Sequence, residues 1–134
     1  MELHLRIIGL LLTMLAFVHI IFPRYFNWKE QLAPLSLINR QMMQVHTIFI
    51  AFTVLLIGLL CMSSAHDLVT TELGRRITLG LGCFWAVRFI FQLFVYSSEL
   101  WKGKRFETTV HIVFTLFWLY MTAVFFGIYF ELAV

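Results

Sequence analysis

The chain consists of four long apolar stretches separated by shorter polar segments. They cover residues 5–22, 43–62, 77–96 and 110–130, and the second could begin as early as Leu37. A membrane-spanning helix needs about 20 consecutive, mostly apolar residues, so each stretch is long enough to cross a bilayer. Because the connections are too short for a further domain, the pattern predicts a single transmembrane domain over residues 1–134. We expect an all-α, integral membrane four-helix bundle with antiparallel up-down topology.

The composition agrees with a membrane protein. Hydrophobic residues make up 61% of the 134 residues and charged residues only 13%, and the mean hydropathy is +0.90. A soluble domain typically carries about 25% charged residues. The net charge of +3 is too small to predict a nucleic-acid partner. The expected partner is therefore the lipid bilayer, together with other membrane subunits or a second copy of the chain.

The basic residues predict an orientation. Six lysines and arginines flank the first and third connections, against three at the termini and the second connection. Basic residues concentrate on the cytoplasmic side, which places both termini outside. Arg75 and Arg76 in the second connection oppose this assignment. The first connection, residues 23–42, is predicted to lie in the interface, and Asn27 and Glu30 within it have the spacing of a capping box.

Two neighbouring spans carry polar and aromatic side chains at helical spacing. The third span has four such residues on one face of a helix: Trp85, Arg88, Gln92 and Tyr96. The fourth span repeats the pattern with His111, Thr115, Trp118 and Thr122. Since consecutive spans run antiparallel, Arg88 should lie level with Trp118. The two stripes are therefore expected to face each other.

Arg88 is the most expensive of these residues to place in a bilayer. A charge at the bilayer centre costs about 2.5–3.5 kcal/mol, so it normally faces the bundle interior or a water-filled cavity. No aspartate or glutamate lies inside a predicted span. The guanidinium is thus expected over the Trp118 or Trp85 ring as a cation–π pair, or against a bound anionic or carbonyl group.

Three histidines are predicted near the same leaflet. His19 lies near the end of the first span, His46 near the start of the second and His111 at the start of the fourth. Because the spans alternate in direction, all three imidazoles are expected on the side of the first and third connections. Imidazole is a common ligand of haem and of transition metals. His4 and His66 lie toward the opposite face and are expected to be solvated.

Three kinds of site remain open on this pattern. One is haem b held by His46 and His111, with its propionates near basic residues such as Arg40, Lys102 or Arg105. A second is a transition metal held by His19, His46 and His111, completed by Gln92, Glu107 or water. A third is a quinone or lipid-headgroup pocket, in which histidine, tyrosine and tryptophan side chains bond carbonyl groups and Arg88 polarises one. In all three cases the candidate binding residues include Gln92, Tyr96 and Trp118.

A role without a cofactor is the alternative. In a structural or assembly subunit, the polar stripes would only dock helices against one another. No hydrolase, zinc-protease or phosphate-loop motif is present, and no catalytic residue is predicted. Cys61 and Cys83 lie in apolar spans without a CxxC pair, which is typical of packing residues. Gly80 and Gly82 in the third span would allow close approach of a neighbouring helix.

Two resemblances add to this interpretation. The segments "FPRYFNWKEQLAPLSLINRQ" and "GKRFETTVH", with the intervening pattern of His, Trp, Arg and Gln, resemble small four-span bacterial membrane proteins of unassigned function. This resemblance implies a bacterial inner membrane. In having four helices and intramembrane histidines, the chain is also similar to membrane cytochromes of the b561 type. That similarity implies electron transport with one haem at most, because the three histidines share one leaflet.

Overall fold

The computed structural model describes residues 1–131, and all regular structure within them is helical. The long helices are α1 (Glu2–Val18), α4 (Leu37–Ser63), α6 (Glu72–Phe94) and α7 (Arg105–Glu131). Three short helices connect them: α2 (Phe22–Tyr25), α3 (Trp28–Gln31) and α5 (Ala65–Thr70). A single 3₁₀ turn, Ser98–Leu100, lies between α6 and α7. The chain divides into two compact units, residues 3–65 and the part from His66 onward together with Met1 and Glu2.

Three helices are long and apolar enough to cross a membrane: α4, α6 and α7. Within the 18 most apolar consecutive residues of each helix, at most 28% is buried. On α4, for example, Ile48, Phe49 and Phe52 are all more than half exposed. Exposed apolar surface of this extent is unusual on a water-soluble monomer and is typical of helices that face lipid.

Helix α1 is shorter than the apolar stretch that contains it. It has 17 residues, a length of about 25 Å. Beyond Val18 the backbone closes into tighter turns, in which Ile20 N–H donates to Phe17 C=O at 3.1 Å. The following Pro23 contributes to this end, since proline lacks the N–H that would bond the carbonyl of His19, and it begins the next short helix instead. Helical periodicity thus stops before the hydrophobicity does.

In the first unit, α1 and α4 approach each other closely at two glycines. A Cβ atom added at Gly58 would lie 2.9 Å from the Gly9 carbonyl oxygen and 3.1 Å from the Thr13 backbone nitrogen. Both glycines are buried. Small residues let membrane helices bring their backbones together, and the absence of a side chain at both positions permits this crossing.

The first connection contains the predicted helical turn, with a different capping interaction. Asn27 is the residue before α3 and has φ of 51°, which asparagine tolerates better than most residues. Its side chain does not accept a bond from the α3 backbone; instead its amide nitrogen donates to Glu30 Oε2 at 2.8 Å. Ser36 likewise precedes α4 without a side-chain cap.

In the second unit, α6 and α7 form an antiparallel pair. Near the start of α6, the Arg75 guanidinium lies 5.6 Å from the Tyr129 ring centre, whereas contacts late in α6 involve residues early in α7. Of the two glycines singled out by sequence, only Gly82 faces α7: a Cβ there would lie 2.8 Å from the Phe126 ring. Gly80 faces open space, with no atom within 4 Å of such a Cβ.

Candidate functional site on helices α6 and α7

Gln92 is the centre of a polar network between α6 and α7. Its oxygen Oε1 accepts from Arg88 Nη1 and from Trp118 Nε1, both at 3.3 Å. Its nitrogen Nε2 lies 2.8 Å from His111 Nδ1. Gln92 is buried, with 8% of its surface exposed. One side chain therefore joins three of the residues that the sequence analysis assigned to the site.

The network determines the tautomer of His111. Arg88 and Trp118 can only donate, so the Gln92 atom that they share must be the oxygen. The other end of the amide is then the NH₂ group, which makes His111 Nδ1 an acceptor. In this arrangement the proton of a neutral imidazole lies on Nε2.

His111 is also held by a residue that the sequence analysis did not assign to the site. The Trp101 indole stacks on the imidazole, with ring centres 3.8 Å apart and planes 9° from parallel. Trp101 comes from the connection before α7, whose backbone is fixed by the Thr108 hydroxyl donating to Trp101 C=O at 2.7 Å. The indole covers one face of the imidazole ring.

Arg88 contacts neutral groups. Its guanidinium carbon lies 4.9 Å from the Trp118 ring centre and 5.5 Å from that of Tyr96. The predicted cation–π pair with Trp118 is thus confirmed. Among residues 1–131, no carboxylate forms a salt bridge with Arg88. The positive charge is stabilised by one amide oxygen and two aromatic faces, and by no counter-ion from the described chain.

Trp85 completes the buried part of the site. Its indole is stacked on that of Trp118, with centres 5.1 Å apart and planes 7° from parallel. Trp85 is only 2% exposed. Its Nε1 atom is buried and has no hydrogen-bond acceptor in the described part of the chain. A buried donor without an acceptor costs about 1–3 kcal/mol, which makes this position favourable for an acceptor.

A shallow groove opens on another part of the α6 surface, and Arg88 is one of the residues that line it. It has a volume of about 470 Å³ and almost entirely apolar walls. The lining residues follow one face of α6: Gly80, Cys83, Phe84, Val87, Arg88 and Phe91. The groove is therefore an apolar surface that borders the Arg88 side chain.

The other two predicted ligands, His19 and His46, belong to the first unit. His19 lies in the turn after α1, where its Nδ1 bonds Leu15 C=O at 2.8 Å and its ring contacts Phe22. His46 is exposed on α4. Within residues 1–131 there is no group of three or more His, Cys, Asp or Glu side chains that could hold a metal ion. The metal-site hypothesis stays a prediction.

His66, predicted to be solvated, is exposed and has a partner. Its Nδ1 lies 2.9 Å from Glu2 Oε1. The hydrogen bond to Glu2, followed by the charge of the same carboxylate, raises the pKa of His66 above its usual 6.5. This pair lies outside the site on α6 and α7.

Comparison with known proteins identified no related protein. No family model matches the chain. No curated protein and no solved structure shows a significant similarity to it. The function has to be inferred from the site itself.

Proposed function

We propose that the chain is a small multi-pass protein of a bacterial inner membrane, in which α1 adds a fourth crossing to those of α4, α6 and α7. Two features support this. The apolar sequence continues after α1 to Phe22, so the segment beyond Val18 can supply the length that α1 lacks. The distribution of lysine and arginine favours external termini and cytoplasmic first and third connections.

This topology predicts the result of fusing reporters to the chain. Alkaline phosphatase, which is active only outside the cytoplasm, should be active when fused after Val134. The same enzyme inserted at Gly103 in the third connection should be inactive, and green fluorescent protein should give the reverse pattern. An inactive fusion after Val134 combined with an active one at Gly103 would invert the orientation, and equal activities would mean that α7 does not cross the membrane.

The function we propose is binding of a lipid-soluble ligand whose polar head carries a carbonyl oxygen, such as a quinone. The observation that carries this proposal is Arg88, a cation on an apolar helix whose partners in the described chain are neutral. A carbonyl oxygen at the guanidinium would occupy donors that Gln92 leaves open. The groove along α6 offers an apolar surface for the rest of such a ligand.

Haem ligation fits the arrangement less well. A histidine that binds iron through Nε2 usually donates its Nδ1–H to a neighbouring acceptor. Here Nδ1 of His111 faces the NH₂ group of Gln92, and the Gln92 oxygen is already bonded by Arg88 and Trp118. His111 would have to exchange its tautomer and break this network. The carbonyl-binding role leaves it intact.

Tryptophan fluorescence provides the test of binding. Quinones quench indole emission, and Trp118 lies against Arg88, so titration of decylubiquinone into the detergent-purified chain should give saturable quenching. Replacing Arg88 with leucine should weaken the apparent affinity about tenfold, the effect of losing one charge-assisted hydrogen bond. The matched control is Arg105→Leu, an exposed arginine at the start of α7, which should bind as the wild type does.

Two outcomes would contradict the proposal. Quenching that stays linear in ligand concentration and is unchanged in Arg88→Leu would leave a cofactor-free structural subunit as the function. A Soret band in the purified protein, with sharp α and β bands on reduction by dithionite, would establish haem in place of the proposed ligand.

A further inference from the structure

A polar pocket lies at the opposite end of α6 from Gln92. It has a volume of about 500 Å³ and is lined by Thr70, Glu72, Arg75, Arg76 and Tyr129. We propose that this pocket binds a phosphate group, such as that of an anionic phospholipid headgroup. The inference rests on residues that the site at Arg88 does not use, and it shares with the proposed function only the membrane-spanning position of α6 and α7.

The charges in the pocket leave one arginine uncompensated. Arg76 Nη2 donates to Glu72 Oε1 at 2.6 Å, and this pair neutralises the only carboxylate among the lining residues. Arg75 forms no salt bridge in the described part of the chain. The pocket therefore carries a net positive charge that belongs to Arg75.

The geometry of Arg75 fixes its guanidinium in the pocket. The half-buried side chain lies over the Tyr129 ring at 5.6 Å. Its Nε atom is buried and has no hydrogen-bond acceptor within residues 1–131. A planar guanidinium held by an aromatic face loses little conformational freedom on binding, and its parallel N–H groups match two oxygens of a phosphate.

The position of the pocket along the helices suits a lipid headgroup. Arg75 and Arg76 lie in the first turns of α6, and Tyr129 lies near the end of α7. The ends of membrane-spanning helices lie at the level of the headgroups, where tyrosine and arginine are common. This role also explains why two arginines lie at this end of α6, against the orientation that the other basic residues indicate.

The test compares lipid binding by two arginine variants. Native mass spectrometry of the full chain, released from detergent supplemented with phosphatidylglycerol or phosphatidylcholine, would count the lipids retained. We expect phosphatidylglycerol to be retained preferentially, and Arg75→Gln to weaken this retention about tenfold. Arg6→Gln, the same charge change at an exposed position on α1, should retain lipid as the wild type does. Arg75→Lys should keep part of the preference, because the charge remains without the two parallel donors.

Inorganic phosphate distinguishes the two sources of the group. If millimolar phosphate raises the melting temperature of the wild type but not that of Arg75→Gln, while phosphatidylglycerol shows no preference, the occupant is a soluble phosphate. If Arg75→Gln and Arg6→Gln behave alike toward both probes, the phosphate site is excluded. Should Arg75→Gln fail to fold, Arg76→Gln removes a charge from the same pocket without touching the Tyr129 contact, and the same criteria apply.

Discussion

Replacing Gln92 with leucine is expected to destabilise the chain by roughly 2–3 kcal/mol. The change removes one buried residue and leaves three partners without their bonds: Arg88 Nη1, Trp118 Nε1 and His111 Nδ1. An average hydrogen bond between membrane helices contributes only about 0.6 kcal/mol. Loss of the acceptor for a buried or charged donor costs about 1–3 kcal/mol, so the arginine and indole contacts account for most of the effect. Reversible unfolding in mixed detergent micelles would measure it.

Two further variants separate this network from the loss of any polar side chain. Gln41 is exposed on α4, and Gln41→Leu should change the unfolding free energy by less than about 0.5 kcal/mol. Gln92→Glu keeps an acceptor for Arg88 and Trp118 and should retain most of the stability. It replaces the NH₂ group with a second acceptor, so His111 should move its proton from Nε2 to Nδ1. The ¹⁵N chemical shifts of the imidazole report this exchange, and unchanged shifts would disprove the assigned network.

Helical spacing was sufficient to predict that the polar side chains of α6 and α7 contact one another. The third span carries polar or aromatic residues three and four positions apart, at Trp85, Arg88 and Gln92, which places them on one face of a helix. An antiparallel neighbour joined by a short connection must then place Trp118 at the depth of Arg88. The indole contact follows directly from this register. Spacing does not determine which side chain bonds which, so the central role of Gln92 required the structure.

Features that depend on irregular backbone were not predictable in the same way. Trp101 stacks on His111 from a connection whose path no periodicity describes. The sequence places His19 near the end of a span that continues to Phe22, whereas His19 lies in a turn and bonds a carbonyl of its own segment. The residues of the turn after α1 are largely apolar, like those of the helix, so hydrophobicity does not show where the helix ends. Pro23 is the one sequence signal of that end.

The close approach of α1 and α4 was missed for another reason. Gly80 and Gly82 attract notice because they are near neighbours in sequence, but only Gly82 faces a helix. Gly9 and Gly58 are isolated glycines, 49 positions apart, on different helices. Their pairing depends on the register between the helices, and no local pattern encodes it.

Alanine at Gly58 should therefore destabilise the chain, whereas alanine at Gly80 should not. Alanine generally favours a helix over glycine by about 0.5–1 kcal/mol, and at Gly80 nothing opposes this gain, because the added methyl group enters open space. At Gly58 the same methyl group would lie 2.9 Å from the Gly9 carbonyl oxygen and from Thr13 Oγ1. A backbone oxygen cannot rotate away as a flexible side chain does, so α1 and α4 must separate.

The expected loss at Gly58 is about 1–3 kcal/mol, the usual cost of overpacking a tightly packed contact. Unfolding in the same detergent would measure the change in unfolding free energy relative to the wild type, which should be a loss for Gly58→Ala and a gain for Gly80→Ala. Gly9 and Gly58 both lie in the first unit, so Gly58→Ala should leave quinone quenching at Arg88 unchanged as long as the chain is folded. If both variants gain stability equally, α1 and α4 do not cross at these glycines, and the first unit must be held together by its apolar side chains.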